Sequence, residues 1–138
     1  MAGVEHEVPA RELVAEAGLA VDDWPTSFGY NMFLYPLSRM TGGVYYEHAH
    51  RLFGALIGLT TMVLAIRLWR TDTRHWLRRL AAASVALVIV QGTLGGLRVT
   101  GGFTLSTSPE DMAPSIILAL AHGVLGQIFL GVMVAIAV

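Results

Sequence analysis

The chain has 138 residues, a length that suits one compact domain. Hydrophobic residues make up 54% and charged residues 14%, whereas a soluble domain carries roughly 25% charged residues. The mean hydropathy is +0.60, which favours a membrane protein. The net charge of −1 argues against a basic surface for nucleic acid. Cysteine is absent, which excludes disulfides and iron–sulfur clusters within the chain, so any metal must be bound by histidine, carboxylate or methionine.

Residues 1–44 are predicted to form an external segment ahead of the membrane-spanning part. The first 24 residues are acidic, with Arg11 as their one basic residue, and they lack the basic start and apolar core of a signal peptide. A short helix is predicted over residues 5–17. Residues 20–44 are rich in Asp, Gly and Pro, which predicts a loop.

Three long apolar runs predict three transmembrane helices: Leu52–Leu68, Leu80–Leu97 and Pro114–Val138. A span needs about 20 mostly apolar residues, and the first run reaches that length if it begins near Tyr45. The predicted spans are therefore about 45–68, 78–98 and 114–138, and residues 45–138 form the predicted helical bundle. Buried helices of a soluble protein are the alternative, but they would carry a charged stripe that these runs lack.

The charges between the runs predict the orientation in the membrane. The first linker region contains a cluster of arginines: Arg67, Arg70, Arg74, Arg78 and Arg79. The second linker, residues 99–113, contains Glu110 and Asp111 but no Arg. Because positively charged loops stay in the cytoplasm, loop 69–79 is predicted to be cytoplasmic, and residues 1–44 and 99–113 are predicted to be external.

Two histidines, His50 and His122, lie within apolar helices, where polar side chains are costly and usually functional. The stretches from His50 to Arg67 and from His122 to Val138 are of nearly equal length, so each histidine lies about 25 Å from the cytoplasmic edge. Imidazoles at matched depth on parallel helices can coordinate one heme iron from opposite sides. A hydrogen-bonded buried histidine is the ordinary interpretation of either one alone, whereas the pair favours iron ligation.

Small residues accompany both histidines. Gly54 lies one turn after His50 and Gly123 directly follows His122, so both are predicted to leave room for a porphyrin. Gly54 and Gly58 also fit the spacing of close helix packing, which stays an alternative.

Charged residues are predicted near the external end of the spans. Glu47 lies one turn before His50, where a carboxylate can orient an imidazole, act as a base or lie over a heme edge; the alternative is an interfacial ion pair with Arg51 or Arg98. Arg51 and Arg98 are predicted partners of heme propionates, although Arg98 equally suits a snorkelling cation. His48 lies about 160° around the helix from His50 and is predicted to be interfacial.

Six short motifs along the chain resemble, in sequence and in order, the motifs of one protein family. They are Ala17–Val21, Asp23–Pro25, Ser27–Gly29, Glu47–Leu52, Gln91–Val99 and Ala121–Gly123. Over residues 17–138 the chain resembles the N-terminal half of heme A synthase.

This resemblance implies an eight-helix membrane enzyme of two similar four-helix bundles, each with a pair of axial histidines near the outer face. Such an enzyme oxidises the C8 methyl group of heme O to a formyl group and so makes heme A for terminal oxidases. One bundle is thought to hold the substrate and the other a heme b cofactor. By the shared motifs, the catalytic carboxylate is Glu47, and the iron ligands are His50 and His122.

The chain departs from the family pattern, because it lacks the second bundle, the first transmembrane helix and the cysteine pair of some members. We therefore expect an all-α membrane fragment, three helices of a four-helix bundle, that is inactive alone. Its expected location is the bacterial plasma (inner) membrane. The expected partners are heme O, the lipid bilayer, the missing half or a second copy, and heme O synthase or a terminal oxidase, with no nucleic acid.

Two other functions fit the same helices. A bis-histidine b-type cytochrome would use the histidine pair for electron transfer, but it has no need of Glu47. An inert membrane module would use the glycines for packing and bind no heme.

Overall fold

The computed structural model describes residues 20, 21, 23–100 and 116–138. Three long helices dominate it: α1 (Gly42–Thr71), α2 (His75–Val99) and α3 (Ile116–Ala137). Each is long and apolar enough to cross a membrane. The predicted all-α membrane fold with three spans is confirmed. The predicted helix over residues 5–17, and the external loop 99–113 from residue 101 onward, lie outside the described residues.

The helices expose much of their apolar surface. Phe53 is 65% exposed, Leu59 61% and Ile117 76%. Apolar surface in water costs about 25 cal/mol per Å², and a bilayer removes that cost. The exposed apolar surface therefore suits helices that face lipid. The buried apolar side chains of the described residues are few: Val21, Tyr35, Leu77 and Ala81.

The chain divides into two compact units, residues 1–52 and 53–138, with the division inside α1. The domain boundary that the sequence suggested, between residues 44 and 45, stays a prediction.

A small hairpin organises the described part of the first unit. Strands β1 (Thr26–Ser27) and β2 (Tyr30–Asn31) are antiparallel, and Ser27 is paired with Tyr30. Phe28 and Gly29 connect them with φ values of 51° and 75°. Two positive φ angles in a two-residue connection are typical of a type I′ turn, whose twist matches that of the strands. Two short 3₁₀ helices, Met32–Leu34 and Leu37–Arg39, then lead to α1.

In the second unit α2 packs against α3, and residues 72–74 connect α1 to α2. Asp72 and Arg74 form an ion pair of 2.8 Å there. Hydrogen bonds from the side chain and main chain of Arg74 lower the pKa of Asp72 to about 2. Arg78 donates to the Trp69 carbonyl at 2.8 Å and lies 5.5 Å from the Trp69 ring centroid, so cations and an aromatic ring meet at this end of the helices.

Candidate functional site

Glu47 and Arg51 form a buried ion pair in the first turns of α1. Arg51 Nη2 donates to Glu47 Oε1 at 2.6 Å, and the side chains are 9% and 6% exposed, respectively. Their spacing of four residues puts them on one helix face. Of the two ion pairs that the sequence left open for Glu47, the structure contains the one with Arg51.

Arg51 also binds the backbone of the preceding segment. Nη1 donates to the carbonyl oxygens of Asp23 at 2.7 Å and Thr26 at 2.9 Å, and Nη2 donates to that of Val21 at 2.8 Å. With the bond to Glu47, these contacts match the four N–H donors of the two terminal nitrogens. The propionate contact predicted for Arg51 therefore requires exchange of these bonds, and that role stays a prediction.

The second oxygen of Glu47 is engaged as well. Oε2 accepts a hydrogen bond from the main-chain N–H of Val21 at 3.0 Å, and Val21 is fully buried. A carboxylate has about four lone-pair sites, so each oxygen of Glu47 keeps the capacity to accept another hydrogen bond. Val21 and Arg51 thus fix the position of the predicted catalytic carboxylate and leave part of its acceptor capacity unused.

His48 and His50 have opposite environments. His48 is 1% exposed, its Nδ1 lies 3.1 Å from Ser27 Oγ, and its ring centroid lies 5.0 Å from that of Tyr35. The sequence placed His48 at the interface, but the hairpin and Tyr35 cover it. His50 is exposed. His48 therefore joins the hairpin to α1, and of the two described histidines of this unit His50 is the exposed one.

Asp23, which the sequence analysis named as part of a motif but gave no role, stabilises the hairpin turn. Its carboxylate accepts hydrogen bonds from the N–H groups of Phe28 at 2.7 Å and Gly29 at 2.8 Å. Burial raises the pKa of Asp23, but hydrogen bonds from Gly29, Thr26 and Phe28 outweigh it and hold the pKa below its ordinary value of 3.8. The acidic side chain thus holds Phe28 in a left-handed conformation that is rare for residues other than glycine.

In the second unit, α2 contacts His122 twice. Gln91 Nε2 donates to the main-chain carbonyl of His122 at 2.9 Å. A Cβ atom built on Gly95 would lie 3.6 Å from His122 Cε1, so the imidazole lies against the backbone of α2. A Cβ atom on Gly126 would lie only 2.9 Å from Gln91 Nε2, so the amide occupies the space left by this glycine. The sequence showed Gln91 as a polar residue in an apolar run and as the first residue of a family motif, without indicating its partner.

The remaining predicted cofactor residues have different surroundings. Arg98 lies in the last turn of α2, where a cation is favoured by the helix dipole. Its Nε is buried, and no hydrogen-bond partner is seen for it in the described residues. Gly54 and Gly123 are open, because a Cβ atom on either would meet no heavy atom within 4 Å. Both positions therefore have space for a large flat ligand or for lipid.

A bare metal ion and a heme need different sets of protein donors. Within the described residues, no group of three or more His, Cys, Asp or Glu side chains is placed to hold a metal. Heme iron takes four ligands from the porphyrin and needs only axial ligands from the protein. His50 and His122, the predicted iron ligands, lie in different units, and their binding of a heme stays a prediction.

Comparison with known proteins gives one family. The model of the COX15-CtaA family, described as cytochrome oxidase assembly protein, matches residues 22–138. Comparisons with curated proteins and with solved structures gave no match.

Proposed function

We propose, since the chain belongs to the cytochrome oxidase assembly protein family, that it takes part in converting heme O to heme A. The proposed location is the bacterial plasma membrane, with loop 69–79 in the cytoplasm and residues 1–44 and 99–113 outside, as the arginine distribution favours. A second copy or a further bundle, and heme O synthase or a terminal oxidase, are the proposed protein partners.

His50 and His122 are the side chains that would bind the heme iron, and the group would be either heme b or heme O. Heme supplies the redox chemistry that these side chains lack. Neutral imidazole is an ordinary iron ligand, and the exposure of His50 leaves it accessible to a cofactor. Arg98 is the better supported propionate partner, because the terminal nitrogens of Arg51 already bind four acceptors.

Glu47 carries the enzymatic part of the proposal. Conversion of a methyl to a formyl group adds one oxygen atom and breaks C–H bonds, so it needs an oxygen source, an electron acceptor outside this chain and a group that accepts protons. A carboxylate held by the Val21 N–H and by Arg51 is positioned to accept a proton. Its fixed position one turn from His50 is the observation that supports catalysis over electron transfer alone.

The test combines heme binding with turnover. The chain is purified in nanodiscs and titrated with heme b, and the absorption spectrum reports axial ligation. We expect a low-spin spectrum that is lost in His50→Ala and in His122→Ala but kept in His48→Ala, the matched control.

Conversion of heme O to heme A is then measured in membranes that contain the partner bundle. Glu47→Gln is expected to keep heme binding and lose conversion. Retained conversion in Glu47→Gln would remove the catalytic role of Glu47. Heme binding by the wild type without any conversion of heme O would instead identify a b-type cytochrome, and a wild-type chain that binds no heme would refute the proposal.

A further inference from the structure

We propose that Gln91 is a positioning residue for His122, acting through the backbone of α3. The inference rests on the proposed function, because it assigns His122 to heme iron. It adds a residue of α2 that contacts no iron but fixes where the iron ligand lies.

The hydrogen bond from Gln91 reaches a main-chain carbonyl that lies within a helix. In an α-helix, the carbonyl of each residue accepts a bond from the N–H four residues later. The His122 carbonyl therefore has Gly126 as its helical partner, and Gln91 Nε2 donates to the remaining lone pair at 2.9 Å. Gln91 thus ties α2 to the backbone of the predicted ligand residue itself.

Gly126 makes this bond possible. A Cβ atom there would lie 2.9 Å from Gln91 Nε2, closer than real Cβ contacts allow. An alanine at residue 126 would therefore displace the amide that binds His122. The amide of Gln91 fits at this position because residue 126 has no side chain.

Gly95 provides the second contact. It lies one turn after Gln91 on the same face of α2, and its backbone lies against the His122 ring. The amide thus holds the backbone of His122 while Gly95 limits where the imidazole can lie. The contacts from Gln91 and Gly95 therefore fix the rotation of α3 about its axis and the position of the His122 ring. A metal ligand needs this kind of preorganisation.

The experiment measures heme b binding by the full chain in nanodiscs. Gln91→Leu and Gly126→Ala are each expected to weaken heme b affinity about tenfold, as is usual when a residue that orients a metal ligand is lost. Both are expected to convert part of the low-spin spectrum to high-spin. The double variant Gln91→Ala/Gly126→Ala is expected to bind heme b no more weakly than Gln91→Ala or Gly126→Ala alone. In the double variant the alanine at residue 126 no longer meets an amide.

Matched controls separate positioning from general damage. Gln127→Leu changes an exposed glutamine of α3, and Gly131→Ala fills open space on the same helix; both are expected to bind heme b as the wild type does. In a His122→Gly background supplied with free imidazole, Gln91→Leu is expected to have no further effect, because the ligand is no longer attached to α3.

The outcomes are distinguishable. Wild-type affinity and a wild-type spectrum in Gln91→Leu would overturn the inference and leave the proposed function intact. An undiminished effect of Gln91→Leu in the imidazole-supplied background would also overturn it, because the role would then be structural. A wild-type chain that binds no heme b would refute the proposed function and with it this inference.

Discussion

Arg51 and Glu47 lie 2.6 Å apart on successive turns of α1, and through them the first helix holds three backbone carbonyls and one backbone N–H of the preceding segment. The ion pair therefore fixes the backbone of Val21, Asp23 and Thr26 against α1. A guanidinium suits this position because it presents a planar set of donors, whereas an ammonium offers a single point charge.

Arg51→Gln is expected to loosen this segment. Removing one partner of a buried ion pair costs about 3–5 kcal/mol, because the other charge is left buried. Hydrogen exchange of the Val21 amide checks this, and we expect clearly faster exchange. Arg51→Lys is expected to rescue little, since it cannot replace four directed N–H bonds.

Arg39→Gln is the control for Arg51→Gln, because Arg39 is exposed and lies 3.4 Å from Tyr30 Oη. It is expected to leave exchange at Val21 unchanged. If the Val21 amide of Arg51→Gln exchanges as slowly as in the wild type while heme b binding is weaker, Arg51 binds a heme propionate instead.

Acidification is expected to open the hairpin turn through Asp23. The folded-state pKa of Asp23 lies below its ordinary value of 3.8, so the stabilisation is fully present above pH 3.8 and is lost as the pH falls through the folded-state pKa. Exchange of the Phe28 and Gly29 amides, relative to a peptide of the same sequence, should therefore rise in this acidic range.

Asp23→Asn is expected to remove that pH dependence, because an amide neither titrates here nor offers two acceptor oxygens. A turn that opens in the same pH range in Asp23→Asn would contradict this role of the carboxylate.

Gly123→Leu is expected to block heme b binding without unfolding the chain. A Cβ atom at residue 123 would meet no heavy atom within 4 Å and the residue is exposed, so the protein is expected to tolerate a larger side chain there, while a porphyrin beside His122 would collide with it. We expect at least a tenfold loss of heme b affinity, measured by titration, with an unchanged thermal midpoint. Gly54→Leu is expected to behave in the same way.

Gly131→Leu is the matched control, since residue 131 also lies in α3 and is also open. Equal heme binding in the Gly123 and Gly131 variants would place the heme away from Gly123.

The orientation in the membrane can be tested directly, because the chain contains no cysteine. Thr73→Cys lies in the exposed connection between α1 and α2, and Ser38→Cys lies in the exposed segment before α1. In intact spheroplasts, a membrane-impermeant maleimide is expected to label Ser38→Cys only, and detergent is expected to make both accessible. Labelling of Thr73→Cys in intact spheroplasts would reverse the proposed topology.

The sequence predicted the helices well, because an apolar run of sufficient length leaves few structural alternatives. The predicted spans 45–68 and 78–98 lie inside α1 and α2, which extend beyond them by a few residues. Polar residues such as Arg67 and Thr71 continue the helix into the interface, where hydropathy gives no boundary.

The contacts of the candidate site were harder to predict. The burial of His48 depends on Ser27 and Tyr35, and the bond of Gln91 depends on the missing side chain of Gly126. Helical spacing gives the direction of a residue around its own helix but not its partner on another segment. His48 and Gln91 were visible in the sequence as polar residues among apolar ones, and only the packing determines their partners.

The two-residue connection between β1 and β2 makes the length of the segment before α1 as important as its composition. Side chains alternate between the faces of a strand, so one added residue at Phe28–Gly29 would turn Ser27 away from His48. The same addition would shift the Thr26 carbonyl out of reach of Arg51. Point substitutions at exposed positions of this hairpin are therefore more easily accommodated than an insertion or deletion of a single codon.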